Sequence, residues 1–443
     1  SFVFRRIYAI LFKIINYIFI LDSFLLLMKM KKKGFSMEDA FIGRQAILDQ
    51  QKKVYAYEML FRSGLKNAFD PTLDGNVATQ SVMVNAMLDF GMKKLVSDHK
   101  AFINFTEKNL LTRAPKLLPP DSIVVEILET VQPTPEIIEA VQELKNEGYK
   151  IALDDFILQP GYEPLIDLAD IIKVDFRITA DPGERARLHE VLPPHVHLLA
   201  EKVETEDEFR QAIDAGYVLF QGYFFCKPVV LHKKRITNND LSRIRLLKEV
   251  NRPDFNFSAI IDVICADTGL VHKLLTYINS VGIGLNHHIS NLRQATVLLG
   301  ANGIRNWVTL ISLQTFSADK PSELFTLSLI RAKFCELIAL KLNRPTITPD
   351  TGFLLGMFSL IDVLLNQPMS EVLKEITLSD ELNAALIGED NELRRLLDLV
   401  ISYEKGDWET VAGCCMREKF PFEALVPLYN DVLEWYNIVR SVG

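Results

Sequence analysis

Lys150-Ile151-Ala152-Leu153-Asp154-Asp155 and, one short connection later, Ile171-Ile172-Lys173-Val174-Asp175 decide how the first half of this chain reads. Each is an apolar run too short for a helix that ends in acids, the pattern of a strand buried on both faces. Similar runs recur at 41–48, 54–61, 101–105, 123–128, 197–200 and 217–220. Only residues 49–53 separate the first two, a connection short enough for an antiparallel hairpin. Amphipathic stretches at 79–90, 135–146 and 206–215 separate later runs, as parallel strands with crossover helices require. Eight such strands predict an α/β fold, a (β/α)8 TIM-like barrel whose first strand is antiparallel.

The 443-residue chain is 49% hydrophobic and 24% charged, enough for two or three full-sized cores. Its net charge of −8 argues against a nucleic acid polymer as partner, because phosphate-backbone binding runs on clustered Lys and Arg. Cys226, Cys265, Cys335, Cys414 and Cys415 form no CxxC pair and no regular spacing. They read as buried thiols of a cytoplasmic protein rather than as disulfides or zinc ligands.

Strand-like runs stop near residue 228, and helical texture takes over near residue 238. We expect a barrel domain at 38–232, a linker helix at 233–250 and an all-α domain at 251–443. Residues 1–37 stand apart, apolar with cations at Arg5, Arg6 and Lys13 and a lysine-rich run at 28–33. Between Lys13 and Lys29 only 15 residues are free of cations, with Asp22 among them, against about 20 for a spanning helix. Met37 is a candidate natural start. Residues 1–36 are then either not native or a membrane-proximal segment acting through residues 2–28.

The apolar runs end in Glu58, Asn104, Glu126, Asp154, Asp155, Lys173 and Glu201. In a barrel these converge on the C-terminal mouth. So many carboxylates in one place require cations, and oxygen-only donors point to Mg²⁺ or Mn²⁺ rather than zinc. Two such ions side by side serve phosphodiester cleavage, with the lone Lys173 orienting water or pairing with substrate. Taken singly, each residue has a plainer account: Asn104 as cap of the next helix, Asp154 with Asp155 as a turn pair. Taken together at one mouth, they read as one site.

Glu58-Met59-Leu60-Phe61-Arg62 resembles the signature of EAL domains, bacterial phosphodiesterases that open cyclic di-GMP to linear pGpG. Ile103-Asn104-Phe105, Val125-Glu126-Ile127-Leu128-Glu129, Leu153-Asp154-Asp155-Phe156, Ile172-Lys173-Val174-Asp175, Ala200-Glu201-Lys202-Val203-Glu204-Thr205 and Gln221-Gly222-Tyr223-Phe224-Phe225 follow in the family's order. The resemblance implies metal ligation by Glu58, Asn104, Glu126 and Asp154, with Asp155 serving a second Mg²⁺ or Mn²⁺. It also implies that Lys173 positions the water and that Glu201 is a ligand or general base. Glu204 would support the mouth, Gln221 would face the substrate, and Arg62 would meet a substrate phosphate.

Where active members carry a glycine-rich loop after Asp-Asp-Phe, this chain reads Ile157-Leu158-Gln159-Pro160-Gly161-Tyr162-Glu163-Pro164, and the connections near 165–170 and 185–191 are short. Two readings stay open: a cyclic di-GMP phosphodiesterase, or a catalytically inactive regulator acting by ligand sensing or protein contacts.

In the second half, helical patterns run at 258–266, 270–280, 290–299, 304–313, 322–342 and 352–365. Leu274-Leu275-Thr276-Tyr277-Ile278-Asn279-Ser280, Ile289-Ser290-Asn291-Leu292-Arg293-Gln294-Ala295 and Leu298-Leu299-Gly300 resemble the HDOD domain, a metal-free relative of HD phosphohydrolases. This half holds only His272, His287 and His288, and Phe358-Ser359-Leu360-Ile361-Asp362 stands where a His-Asp pair would be. No catalysis is expected there, and Trp307 and Phe334 read as core. A barrel of this kind before an HDOD module resembles bacterial signal transduction proteins. It implies a protein partner for the helical half, and leaves a homodimer open.

Overall fold

The computed structural model describes residues 40–63, 92–179, 181–226, 247–252, 256–266, 268–280, 289, 291–317 and 320–442. The expected helix at 79–90, the N-terminal segment, most of the linker at 233–250 and the pair His287 and His288 lie outside the described residues. No described helix is long and apolar enough to cross a membrane.

Strands β1 (Ala40–Asp49), β2 (Val54–Ser63), β3 (Lys100–Phe105), β4 (Ile123–Ile127), β5 (Lys150–Leu153), β6 (Ile171–Asp175), β7 (His197–Glu201) and β8 (Leu219–Gln221) close into a barrel in chain order. β1 runs antiparallel to both β2 and β8, and the other neighbours pair in parallel. The hairpin turn closes where Asp49 N–H donates to Lys53 O at 2.9 Å, with Lys52 in the left-handed region at φ 58°. β8 starts two residues later than its apolar run suggested. The chain turns at Gly216, and Tyr217 N–H bonds back to Ala212 O, so Tyr217 packs edge-on against Phe176 instead of pairing.

Inside the barrel each strand contributes one residue to a single apolar layer: Ile47, Ala56, Phe102, Val124, Ala152, Ile171, Leu199 and Leu219. This plug makes the barrel a packed core rather than a pore. Outside it lie α1 (Met92–Val96), α2 (Glu107–Leu111), α3 (Pro135–Asn146), α4 (Glu163–Leu168), α5 (Pro182–Val191) and α6 (Glu206–Asp214). Thr106, Thr134 and Thr205 cap α2, α3 and α6 through their side chains. Asn104 therefore does not cap the helix after β3, because Thr106 and Asn109 already form a reciprocal capping box there.

The second half is helical throughout its described length. It comprises α7 (Phe257–Ala266), α8 (Thr268–Ser280), α9 (Leu292–Phe316), α10 (Ser322–Leu342), α11 (Pro349–Phe358), α12 (Ile361–Leu365), α13 (Met369–Glu375), α14 (Asp380–Ile387), α15 (Glu392–Glu404), α16 (Trp408–Glu418) and α17 (Leu425–Val442). Gly300, at φ 62°, breaks α9 internally, in the gap expected between 299 and 304. The single helix expected at 352–365 is two helices, because Leu360 leaves helical geometry at φ −128°. Trp307 and Phe334 are buried as expected, whereas Cys265 is exposed, unlike the buried Cys335, Cys414 and Cys415.

α10 and α11 cross at near backbone contact. A Cβ on Gly356 would sit 2.3 Å from Ala332 N, so Gly356→Ala must push the two helices apart. It is expected to lower stability by ~1–3 kcal/mol in urea denaturation; a parent-like midpoint would refute the close crossing.

A hairpin has no crossover helix between its strands, so the outer face of β1–β2 needs another cover. The helical half supplies it. Tyr403 Oη of α15 donates to Ile42 O at 3.0 Å, and Tyr57 Oη of β2 donates to Glu323 Oε2 of α10 at 2.8 Å. The Arg44 guanidinium lies 4.3 Å from the Tyr57 ring centroid between them.

Candidate metal centre at the barrel mouth

Side chains alternate along a strand, so the residue two positions on from each member of the apolar plug faces inward again. Those positions are Glu58, Asn104, Glu126, Asp154, Lys173, Glu201 and Gln221 on β2 to β8. On β1, which runs the other way, the position is Gln45, two residues before Ile47. One layer thus gathers eight polar residues of the inner mouth. Gln45 escaped the sequence reading because its strand is antiparallel and its polar residue precedes the apolar one. The signal is the same spacing read backwards.

Contacts join the ring. Lys173 Nζ, 1% exposed, pairs with Glu201 at 2.7 Å, Asp154 at 2.9 Å and Glu58 at 3.5 Å, and also pairs with Glu126. Gln221 Nε2 donates to Glu58 Oε2 at 2.6 Å and to Gln45 Oε1 at 2.9 Å, and Asn104 Nδ2 reaches Glu58 Oε1 at 3.4 Å. Lys173 is the ammonium at the centre of the acids. Gln221 is buried, and its amide holds Glu58.

One ammonium does not neutralise four carboxylates, and the protonation equilibria show the imbalance. Burial pushes Glu126 well above the ordinary carboxylate range against the pull of Lys173, with Glu58, Asp154 and Glu201 adding to the rise. Burial likewise holds Glu201 at about 8. At Asp154 burial is outweighed by Lys173 and by hydrogen bonds, and its carboxyl lies below that range. Lys173 itself is driven well above the usual lysine value, the surrounding carboxylates overcoming its burial.

Asp155 follows Asp154 at φ 39°, a left-handed conformation that short polar side chains tolerate. The kink is pinned on both sides, by Asp154 N–H to Ile127 O and by Phe156 N–H to Lys173 O, each 2.9 Å. This is more than a turn pair, because it aims both carboxylates at the mouth. Asp154, Asp155 and Glu201 place one oxygen each within 4.8 Å of one another. Burial and the neighbouring Asp154 raise the Asp155 carboxyl.

Buried Asn104 Oδ1, Glu126 Oε2, Asp155 Oδ1 and Gln221 Oε1 have no hydrogen-bond partner among the described residues. Unpartnered oxygens in an acid-rich, oxygen-only set are what hard divalent cations bind. The residues present therefore fit such ions.

The remaining expected residues lie outside the ring. Glu204 is partly exposed and paired with Arg177. Arg62 belongs to β2, opposite Phe41, and its side chain is outside the described residues. Lys202, at φ 55°, pairs with Asp175 and stands 4.0 Å from Asp155, placing a cation at the rim. After Phe156 the loop exposes Ile157 and Leu158 before Tyr162 packs back against Phe156.

Residues 83–228 match the EAL domain and residues 242–391 the HDOD domain. The chain is 38% identical to the cyclic di-GMP phosphodiesterase CdgJ of Vibrio cholerae, over 90% of this chain and 93% of that one. It is 36% identical to the uncharacterized protein YuxH of Bacillus subtilis, over 89% of this chain and 97% of that one. Among solved structures, Klebsiella pneumoniae BlrP1 in a manganese/cy-diGMP complex aligns at TM-score 0.35 and 25% identity, covering 42% of this chain and 55% of that one. With both domains in this order, and two relatives matched over nearly their whole length, the chain belongs to the family of EAL–HDOD signal transduction proteins.

Proposed function

We propose that this protein is a cyclic di-GMP phosphodiesterase that uses Mg²⁺ or Mn²⁺, with the HDOD domain as a regulatory, protein-binding module. The observation that carries the reading is the single polar layer of Glu58, Asn104, Glu126, Asp154, Lys173, Glu201 and Gln221 above an apolar plug. The CdgJ relative is named for this activity. The same reading takes 38–232 as the barrel domain and 251–443 as the HDOD domain.

In this proposal Glu58, Asn104, Glu126 and Asp154 would hold one cation, and Asp155 would serve a second. Divalent cations bound there supply Lewis-acid activation of water and charge stabilisation at phosphoryl oxygens. Gln221 and Asn104 keep Glu58 in orientation. Lys173 holds the acids together and offers a proton donor to a phosphate oxygen. Glu201 would take the proton of the attacking water, whose oxygen bonds to phosphorus as the P–O3′ bond breaks, and the departing 3′-oxygen would take a proton from solvent, leaving pGpG. Arg62 meets the phosphate that is not cleaved, and Glu204 braces the rim through Arg177.

Chromatography of cyclic di-GMP incubated with the chain and Mn²⁺ or Mg²⁺ is expected to show pGpG. Glu58→Ala should lower turnover at least about 100-fold, more than loss of an outer-shell partner does. The altered loop at 157–161 favours the second reading, an inactive regulator. Cyclic di-GMP binding without pGpG would establish that reading and overturn the first.

A further inference from the structure

A cavity of about 850 Å³ lies between the two domains, walled by the β1–β2 turn, α8, α9, the start of α10 and the end of α17. No member of the carboxylate ring lines it. The turn that walls it precedes β2, so the cavity sits away from the mouth where β2 ends. Its volume falls in the range of roughly 300–1,000 Å³ typical of small-molecule sites.

Cations gather there although the chain is acidic overall. Lys52, Lys53, Lys273, Lys320 and Arg440 line the cavity, and among the described residues Glu323 is the one carboxylate that does. Lys52 pairs with Glu206, Arg440 with Asp98, and Lys320 bonds Val363 O and Asn366 Oδ1. Lys53 and Lys273 are exposed, and neither ammonium has a partner among the described residues.

Two further features point to a ligand with both charge and a ring. Helix α10 starts at the cavity with Pro321 as its N-cap and no side-chain cap bond, so its positive dipole end would favour an anion there. Tyr57, Tyr277, Trp307 and Tyr436 supply an aromatic wall.

We propose that this interdomain cavity binds a small organic anion carrying a planar ring, in class a mononucleotide. The ring packs on the aromatic wall, and the anionic group faces Lys53, Lys273 and the start of α10. Tyr57 stands in the cavity wall and is joined by one peptide bond to Glu58, so the occupied site would lie beside a residue of the ring.

The test is calorimetric titration of the full chain in EDTA, which removes metal-dependent binding at the mouth. The probes are the four common ribonucleoside 5′-monophosphates, with guanosine and inorganic phosphate as ring-only and charge-only controls. At least one mononucleotide is expected to bind at millimolar concentration or better, well above both controls. The exposed double substitution Lys53→Glu/Lys273→Glu is expected to weaken it about tenfold or more through reversed charge, and Gln314→Trp to weaken it by narrowing the cavity. Thermal melts check that both variants are folded. Absence of binding by all four nucleotides, equal binding of inorganic phosphate, or affinity unchanged in the folded variants overturns the proposal. None of these outcomes depends on turnover of cyclic di-GMP.

Discussion

Replacing Lys173 by methionine is expected to cost the metal-free protein about 3–5 kcal/mol, the usual result of leaving buried charges without their partner. The aliphatic stem is kept, so the loss comes from the ammonium. Four carboxylates, Glu58, Glu126, Asp154 and Glu201, face that one cation, and Glu126 is fully buried. Without it they must take up protons or a metal. Mn²⁺ or Mg²⁺ is therefore expected to stabilise the variant by ~3 kcal/mol at a concentration a hundredfold above the variant's Kd, and the parent by less at the same concentration. Urea titrations of parent and Lys173→Met, each with EDTA and with Mn²⁺, measure both effects. Equal midpoints for the two proteins in EDTA would show that the ammonium is not what holds the acids in place.

At pH 8, Glu323→Gln is expected to stabilise the protein by up to ~3 kcal/mol, with a much smaller gain at pH 5. Burial raises the Glu323 carboxyl from 4.5 to about 7, against Arg44 and the Tyr57 hydrogen bond, with Glu404 adding to the rise. Tyr429 and Tyr436 are the other titratable groups near this cluster. A carboxyl whose folded value lies above its unfolded value binds a proton more tightly when folded. Its stabilising effect is present below about 4.5 and is lost as pH rises to about 7. Glutamine mimics the protonated form, keeps a partner for Tyr57 Oη and carries no such dependence. Unfolding free energies measured from pH 5 to pH 8 should converge at the acid end; a constant offset would show that burial of the charge is not the cause.

Much of the barrel was legible because its strands are short apolar runs with turn chemistry between them. The opening hairpin followed from the length of residues 49–53, and α3 from its periodicity. The break of the helix expected at 352–365 was not, because Leu360 and Ile361 are ordinary helix residues and the break is made by packing. β8 was misplaced because Tyr217 and Val218 look like strand residues, although the turn at Gly216 turns Tyr217 against Phe176. The acids at strand ends were visible as one site. Gln45 was not, nor was the part Gln221 plays in holding Glu58.

By itself the sequence determined which side chains share a layer, because strand alternation depends only on the count from an apolar residue to a polar one. It determined the chemistry of that layer too, since oxygen donors without histidine or cysteine exclude a soft metal. Only the tertiary structure decided that Lys173 sits at the centre of the acids, because that follows from barrel closure bringing β2, β4, β6 and β7 within a side chain's reach. It alone decided that the helical half covers the β1–β2 hairpin. That contact joins residues more than 250 positions apart, such as Tyr57 and Glu323, and no local pattern records a surface that the rest of the chain must come back to bury.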